Sequence, residues 1–147
     1  MKIYFDSCCF SRPFDDQSQI RVYNEGKAII DIIEIIKDRG YILLGSEISF
    51  IEINKITDIN KLDKTFVLYA RISDEVKLNN QIMYRSQTIQ NQSSIKQLDS
   101  VHLASAEYGG ADIFLTTDDR LIKRCAKLSL QMRVLNPVSY LQELANE

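Results

Sequence analysis

The sequence predicts an α/β fold: three layers, α/β/α, around a central and mostly parallel sheet of four to five strands. Three observations predict it. Strand-like and helix-like patterns alternate along the whole chain, which is the signature of parallel strands joined by helical crossovers. The strand-like stretches are short and continuously apolar, as in Ile3-Tyr4-Phe5 and Ile113-Phe114-Leu115. Such runs belong to strands buried on both faces, and that burial needs a helical layer on each side. Both of these runs are followed by acid, Asp6 in one case and Asp118-Asp119 in the other. In open α/β sheets the crevice beyond the carboxyl ends of the strands is where ligands bind.

Taken in order, the chain opens on a strand that ends at Asp6. Ser7 to Gln19 reads as loop, since Pro13 and the Asp15-Asp16 pair break any periodicity. Val22 to Arg39 is helical, with Ile29, Ile32, Ile33 and Ile36 at helical spacing and Gly40 as a natural terminator. Tyr41 to Gly45 is the second strand. Ser46 is an N-cap candidate for a helix carrying Ile48, Ile51 and Glu52. Residues 59–73 form another helix, with Leu62, Phe66, Tyr69 and Ala70 on one face, and Glu75 to Leu78 a short strand. Asn79 to Ser94 begins helical and turns polar, and weak order is expected near Asn91–Ser94. Leu98 to Tyr108 is a helix closed by Gly109-Gly110, and Asp112 to Thr117 is the next strand. Leu121 to Leu128 is helical and basic, Met132 to Leu135 the last strand, and Pro137 opens a final helix at its first turn.

The length of 147 residues suits one domain, 1–147, with no linker and no internal repeat. A net charge of −2 argues against broad affinity for nucleic acid and leaves room only for a local basic rim. No apolar run is long enough to span a bilayer, and no signal-peptide pattern follows Lys2, so a cytoplasmic protein without a membrane partner is expected. Three cysteines, two of them adjacent (Cys8 and Cys9), make a poor disulfide framework and agree with that location.

Four acids stand at element ends that a parallel sheet gathers at one edge. Asp6 and Asp118 follow strands, Asp99 opens a helix, and Glu52 lies in the helix leaving the second strand. Carboxylates packed together raise one another's pKa unless a cation balances them. A hard divalent ion such as Mg²⁺, which prefers oxygen ligands, resolves the repulsion. It also activates water and steadies a phosphoryl transition state.

Four motifs then fall into a familiar order: Asp6-Ser7 after the first strand, Ser46 followed by Glu52, Leu98-Asp99-Ser100-Val101-His102-Leu103-Ala104, and Leu115-Thr116-Thr117-Asp118-Asp119. Together they resemble the PIN-domain family over nearly the whole chain. The resemblance implies Mg²⁺- or Mn²⁺-dependent endoribonuclease activity on RNA that leaves a 5′-phosphate and a 3′-hydroxyl. It also implies a small toxin neutralised by an antitoxin protein, and often a homodimer, for which residues 22–39 or 59–85 offer faces. On this resemblance Asp6, Glu52, Asp99 and Asp118 are the catalytic acids, with Asp6, Asp99 and Asp118 as metal ligands. Ser7, Thr116 and Thr117 support them.

Each assignment has a plainer alternative. Asp6 also suits a loop cap, and Asp99 a first-turn helix charge. Asp118 and Asp119 compete for one place, as do Glu52 and Glu47; Asp118 is favoured because it directly follows the strand. His102, the sole histidine, reads as a packed and hydrogen-bonded side chain, and Cys8 and Cys9 as packing near the site. Arg12, Arg85, Arg120, Lys123 and Arg124 are candidates for RNA contact, against the plainer reading of solvated charge. Two other functions fit the pattern less fully: a non-catalytic binding module of the same fold, and a phosphate-handling domain of receiver or phosphatase type. The haloacid-dehalogenase phosphatase pattern needs a second Asp where Cys8 stands.

Overall fold

A computed structural model describes residues 1–147. Its centre is a five-stranded sheet with every pairing parallel. The strands are β1 (Lys2–Phe5), β2 (Ile42–Ser46), β3 (Asp74–Val76), β4 (Ile113–Leu115) and β5 (Arg133–Leu135), in the order β3-β2-β1-β4-β5. β1 is central: Ile3 is in register with Leu43 and Ile113, and Tyr4 with Leu44 and Phe114. Successive side chains of a strand point to opposite faces, and both faces here are apolar. Ile3, Phe5, Leu43, Ile113 and Leu115 enter one core; Tyr4, Leu44 and Phe114 enter the other.

Helices cover both faces, giving the three layers predicted. Ile29, Ile32, Ile33 and Ile36 of α2 (Ile20–Arg39) fill the first core, with Tyr140 and Leu144 of α8 (Pro137–Ala145). In the second core lie Ile82 and Ile89 of α5 (Asn80–Asn91), Val101, Leu103 and Ala104 of α6 (Gln97–Tyr108), and Leu121 and Cys125 of α7 (Asp119–Cys125). α2 stops at Gly40, whose φ of 65° lies in the left-handed region. No helix is long and apolar enough to cross a membrane.

The segment expected to be loop is partly helical. Ser7–Ser11 forms α1, followed by a 3-10 turn at Arg12–Phe14. Pro13 fits inside that turn, and the burial of Cys9 and Phe10 against the first core outweighs the weak local pattern. Between β2 and β3 run α3 (Glu47–Ile53) and α4 (Ile59–Tyr69), the latter ending short of the predicted residue 73. α7 opens two residues earlier than predicted because Asp118 caps it. The polar stretch after α5 is a hydrogen-bonded turn: Ser93 Oγ donates to the Ile89 carbonyl at 2.6 Å and accepts from Ile95 N–H at 3.2 Å.

Strand order decides where the site lies. The chain builds from β1 outward to β2 and β3, then returns to lay β4 and β5 on the other side. The reversal falls between β1 and β4, so the ligand crevice opens beyond the carboxyl ends of those two strands. The order also differs from the 2-1-3-4-5 of receiver domains, which removes that alternative.

Candidate metal centre

Asp6 stands at the reversal point. Its N–H donates to the Leu115 carbonyl at 3.0 Å, so the residue after β1 is tied to the end of β4. The Thr116 hydroxyl donates to Asp6 Oδ2 at 2.9 Å and accepts the Asp118 N–H at 3.2 Å. One buried threonine thereby links the first acid to the turn that carries the fourth. The sulfur of Cys8 lies 3.8 Å from the Thr116 hydroxyl and 3.3 Å from that of Thr117, and Cys9 is buried against the Leu115 carbonyl. Both cysteines pack beside the site, as expected.

Glu52 reaches the same place from α3. The Ser46 hydroxyl starts that helix by accepting the Ser49 N–H at 3.1 Å, and Glu52 follows on the crevice side. Its Oε1 accepts from Ser7 Oγ at 3.0 Å and is hydrogen-bonded to His102 Nε2. His102 Nε2 also lies 3.7 Å from Asp6 Oδ1. Ligand atoms of Asp6, Glu52 and His102 all fall within 4.8 Å of one another.

Asp99 sits one turn before His102 on α6, half-buried. Burial, together with the charges of Asp6 and Asp118, pushes its carboxyl up to about 6. Asp118 is exposed, and its Oδ1 accepts from the N–H groups of Arg120 and Leu121 at 3.0 and 3.2 Å. It therefore performs the helix cap that the sequence also allowed, at the edge of the acid group. The closest trio thus differs from the metal set read from the sequence. Asp6 is common to both, while Glu52 and His102 stand in the trio where the sequence reading had Asp99 and Asp118.

Both competing acids point elsewhere. Glu47 Oε1 accepts the Leu78 N–H at 2.8 Å, beyond β3. Asp119 is held by both terminal nitrogens of Arg21, at 2.7 and 2.9 Å.

Charge balance around the trio is uneven. For Glu52, burial works upward, but the hydrogen bond and charge of His102 and the Ser7 hydroxyl outweigh it and hold the carboxyl below its usual range. For His102, burial works downward, and Asp6, Glu52 and Asp99 overcome it, so the imidazole is pushed up. The raised Asp99 marks negative charge that the protein alone leaves unbalanced. Oxygen donors and surplus negative charge are the chemistry that a hard divalent cation fits.

The basic candidates divide. Arg12 is engaged within the protein, with Asp15 at 3.2 Å, buried Glu25 at 3.4 Å and the Thr117 hydroxyl at 2.7 Å. Arg85 is paired with Glu107 at 2.7 Å. Both are thus paired with acids of the protein itself, contacts between distant segments that the sequence does not display. Arg120 and Lys123 are exposed and Arg124 half-buried on α7, directly after Asp118.

Two residues were under-read. His102 is packed and hydrogen-bonded as expected, yet its partner is the site's own Glu52; the signal was its place three residues after Asp99 on one helix face. Arg21 braces the crevice by donating to the Thr117 carbonyl at 3.2 Å and to Glu25 at 3.3 Å; the signal was the Arg21–Glu25 spacing on α2.

No model of a known protein family and no curated protein matches the sequence. Solved structures do match. The VapBC2 complex of Rickettsia felis bound to a promoter DNA fragment superposes with a TM-score of 0.67 at 8% identity, over 92% of this chain and 98% of that one. DNA-bound VapBC of Salmonella typhimurium gives 0.62 at 13% identity, over 93% and 98%. A toxin–antitoxin complex of Klebsiella pneumoniae gives 0.57 at 12%, over 89% and 98%. At such identities the likeness is one of fold, and that fold is consistent with the PIN-like three-layer architecture expected from the sequence.

Proposed function

We propose that this protein is a metal-dependent endoribonuclease of PIN type, acting as the toxin of a toxin–antitoxin pair. The observation that carries the proposal is the gathering of acids beyond β1 and β4, at the strand-order reversal of a PIN fold. Its solved neighbours are toxin–antitoxin complexes, which supports the toxin role and an antitoxin protein as partner. The reading places the protein in the cytoplasm.

In this reading Asp6, Asp99 and Asp118 hold Mg²⁺ or Mn²⁺, and Glu52 stands beside them. When bound, such an ion lowers the pKa of water and draws off the charge that develops on a phosphodiester during hydrolysis. The chain's own residues set the stage. Thr116 fixes the rotamer of Asp6. Ser7 and His102 hold Glu52 ionised and facing the crevice, placed to accept a proton from attacking water. Asp118 keeps Oδ2 clear of the helix it caps. Arg120, Lys123 and Arg124, on the helix that starts beside Asp118, supply the local positive rim for an RNA backbone. The exposed side chains of Val67 on α4 and of Met83 and Tyr84 on α5 suit a homodimer contact within residues 59–85.

The test is cleavage of a mixed RNA pool with Mn²⁺, with EDTA, and with the Asp6→Asn variant. We expect cleavage with Mn²⁺ only, ending in 5′-phosphates, and its loss in Asp6→Asn, since one catalytic carboxylate is typically worth several orders of magnitude. Equal cleavage by the variant contradicts the assignment. Metal binding without cleavage of any RNA favours the non-catalytic binding module.

A further inference from the structure

Glu25 is the most deeply buried carboxylate of the chain, 1% exposed, and it lies outside the acid group beyond β1 and β4. A carboxylate is retained at such depth only where cations and donors surround it. Glu25 has three such neighbours. Arg12 Nε lies 3.4 Å from Oε1, and Arg21 Nε and Asn136 Nδ2 donate to Oε2 at 3.3 and 2.6 Å. Gly26 lets the 3-10 turn bearing Arg12 press against α2, since a Cβ there would lie 3.0 Å from Pro13 Cα. Both guanidiniums then reach the same turn beyond β4. Arg12 Nη2 donates to the Thr117 hydroxyl at 2.7 Å, and Arg21 Nη2 to the Thr117 carbonyl at 3.2 Å. The Arg21 fork also holds both oxygens of Asp119, at 2.7 and 2.9 Å. The residues on either side of Asp118 are therefore clasped, while Asp118 itself spends Oδ1 on capping α7.

We propose that Glu25 is a positioning residue: through Arg12 and Arg21 it fixes the turn Thr117 to Asp119, and with it the Asp118 carboxylate, where the crevice takes its metal ion. The inference rests on the metal reading above and adds to it a brace built from residues outside the acid group. Guanidiniums suit the task, because a planar fork meets two partners at fixed angles and stays charged. Neither of them pairs with Asp6, Glu52, Asp99 or Asp118; their partners are Glu25, Asp15 and Asp119. Glu25 thus has two effects. It aims both cations at the turn, and it keeps them from competing with an ion for the acids. Asn136 ties the same carboxylate to the start of α8, so the brace joins α2, the 3-10 turn, the end of β4 and the segment after β5.

The test reads Mn²⁺ affinity by electron paramagnetic resonance and, in the metal-free protein, hydrogen exchange of the Asp118, Arg120 and Leu121 amides, with the β1 amides as reference. Arg21→Ala is the sharpest variant. Coulomb attraction alone predicts that removing a positive charge beside the acids tightens Mn²⁺ binding. The brace predicts the reverse, a weakening of about 10-fold, the lower end of the usual cost of losing a group that orients ligands. Arg21→Lys, which keeps the charge and loses the fork, should recover only part of the affinity. Glu25→Gln should weaken binding by about 10- to 100-fold and speed exchange at the three turn amides while β1 stays protected. Arg21 is exposed, so Arg21→Ala carries the test if Glu25→Gln does not fold. Mn²⁺ affinity that is unchanged or raised in Arg21→Ala overturns the proposal, as does turn exchange in Glu25→Gln equal to that of the wild type. If the wild type binds no Mn²⁺, the metal reading falls. Exchange at the turn then decides the brace: faster in Arg21→Ala upholds it, and unchanged overturns it.

Discussion

Asp99 shows how a single side chain registers the charge around it. A carboxyl that titrates near 3.8 in the unfolded chain and near 6 in the folded one binds its proton more tightly when folded. The metal-free protein is therefore favoured where Asp99 is protonated, and it loses that advantage as pH rises from about 4 through 6. At pH 7 an ionised Asp99 works against the fold, and Asp99→Asn removes the conflict. Solvent screening at this half-buried group limits the gain to about 1 kcal/mol, or about 3 °C in Tm for a chain of this size. We expect Asp99→Asn to melt higher than the wild type in EDTA at pH 7, and the order to reverse when Mn²⁺ is added. A lower Tm for the variant in EDTA would contradict the charge account. At this scale the sequence marked the acids but not their partners. Asp6, Asp99 and Asp118 were visible as strand and helix ends, whereas the ring joining Glu52 to Tyr4 depends on contacts 50 and 98 residues apart.

Among the elements, those with long apolar patterns were the most legible. α2 announced itself through its isoleucines and Gly40, and every strand was found within a few residues. α1 was missed because five residues carry too little periodicity, and only tertiary burial of Cys9 and Phe10 makes the segment helical. β2 carries a demand that the sequence did not reveal. A Cβ on Gly45 would lie 2.9 Å from the Tyr69 ring and 2.8 Å from Ile72 Cδ1. Tyr69 uses this close approach to donate to the Ser46 carbonyl at 2.9 Å, at the start of the helix bearing Glu52. Gly45→Ala should force that ring away and cost about 1–3 kcal/mol, as overpacking does. Urea unfolding checks it: a lowered midpoint with an unchanged slope is expected, and an unshifted midpoint would show that Tyr69 yields freely. Ile32, fully buried on α2, tests the opposite change, since Ile32→Ala should cost about 2–5 kcal/mol by the same measurement.

At the level of the whole molecule, strand order positions the proposed site. Placing β1 at the centre and reversing between β1 and β4 brings Asp6 beside Glu52, and Asp99 within reach of the charges of Asp6, Asp118 and Glu52, although these residues span most of the chain. The alternation of strands and helices made the layers readable from sequence, and the acids at strand ends made the crevice readable. The close trio was not, because it is set by how α3 and α6 lean over the sheet. The net charge of −2 means that the proposed RNA contact would be confined to a rim rather than spread over the surface. The most direct measurement is a crystal soaked in Mn²⁺, with the ion located by its anomalous scattering. The account predicts a peak in the crevice beyond β1 and β4, with Asp6 as a ligand. An empty crevice at saturating Mn²⁺, or a peak remote from Asp6, would contradict it.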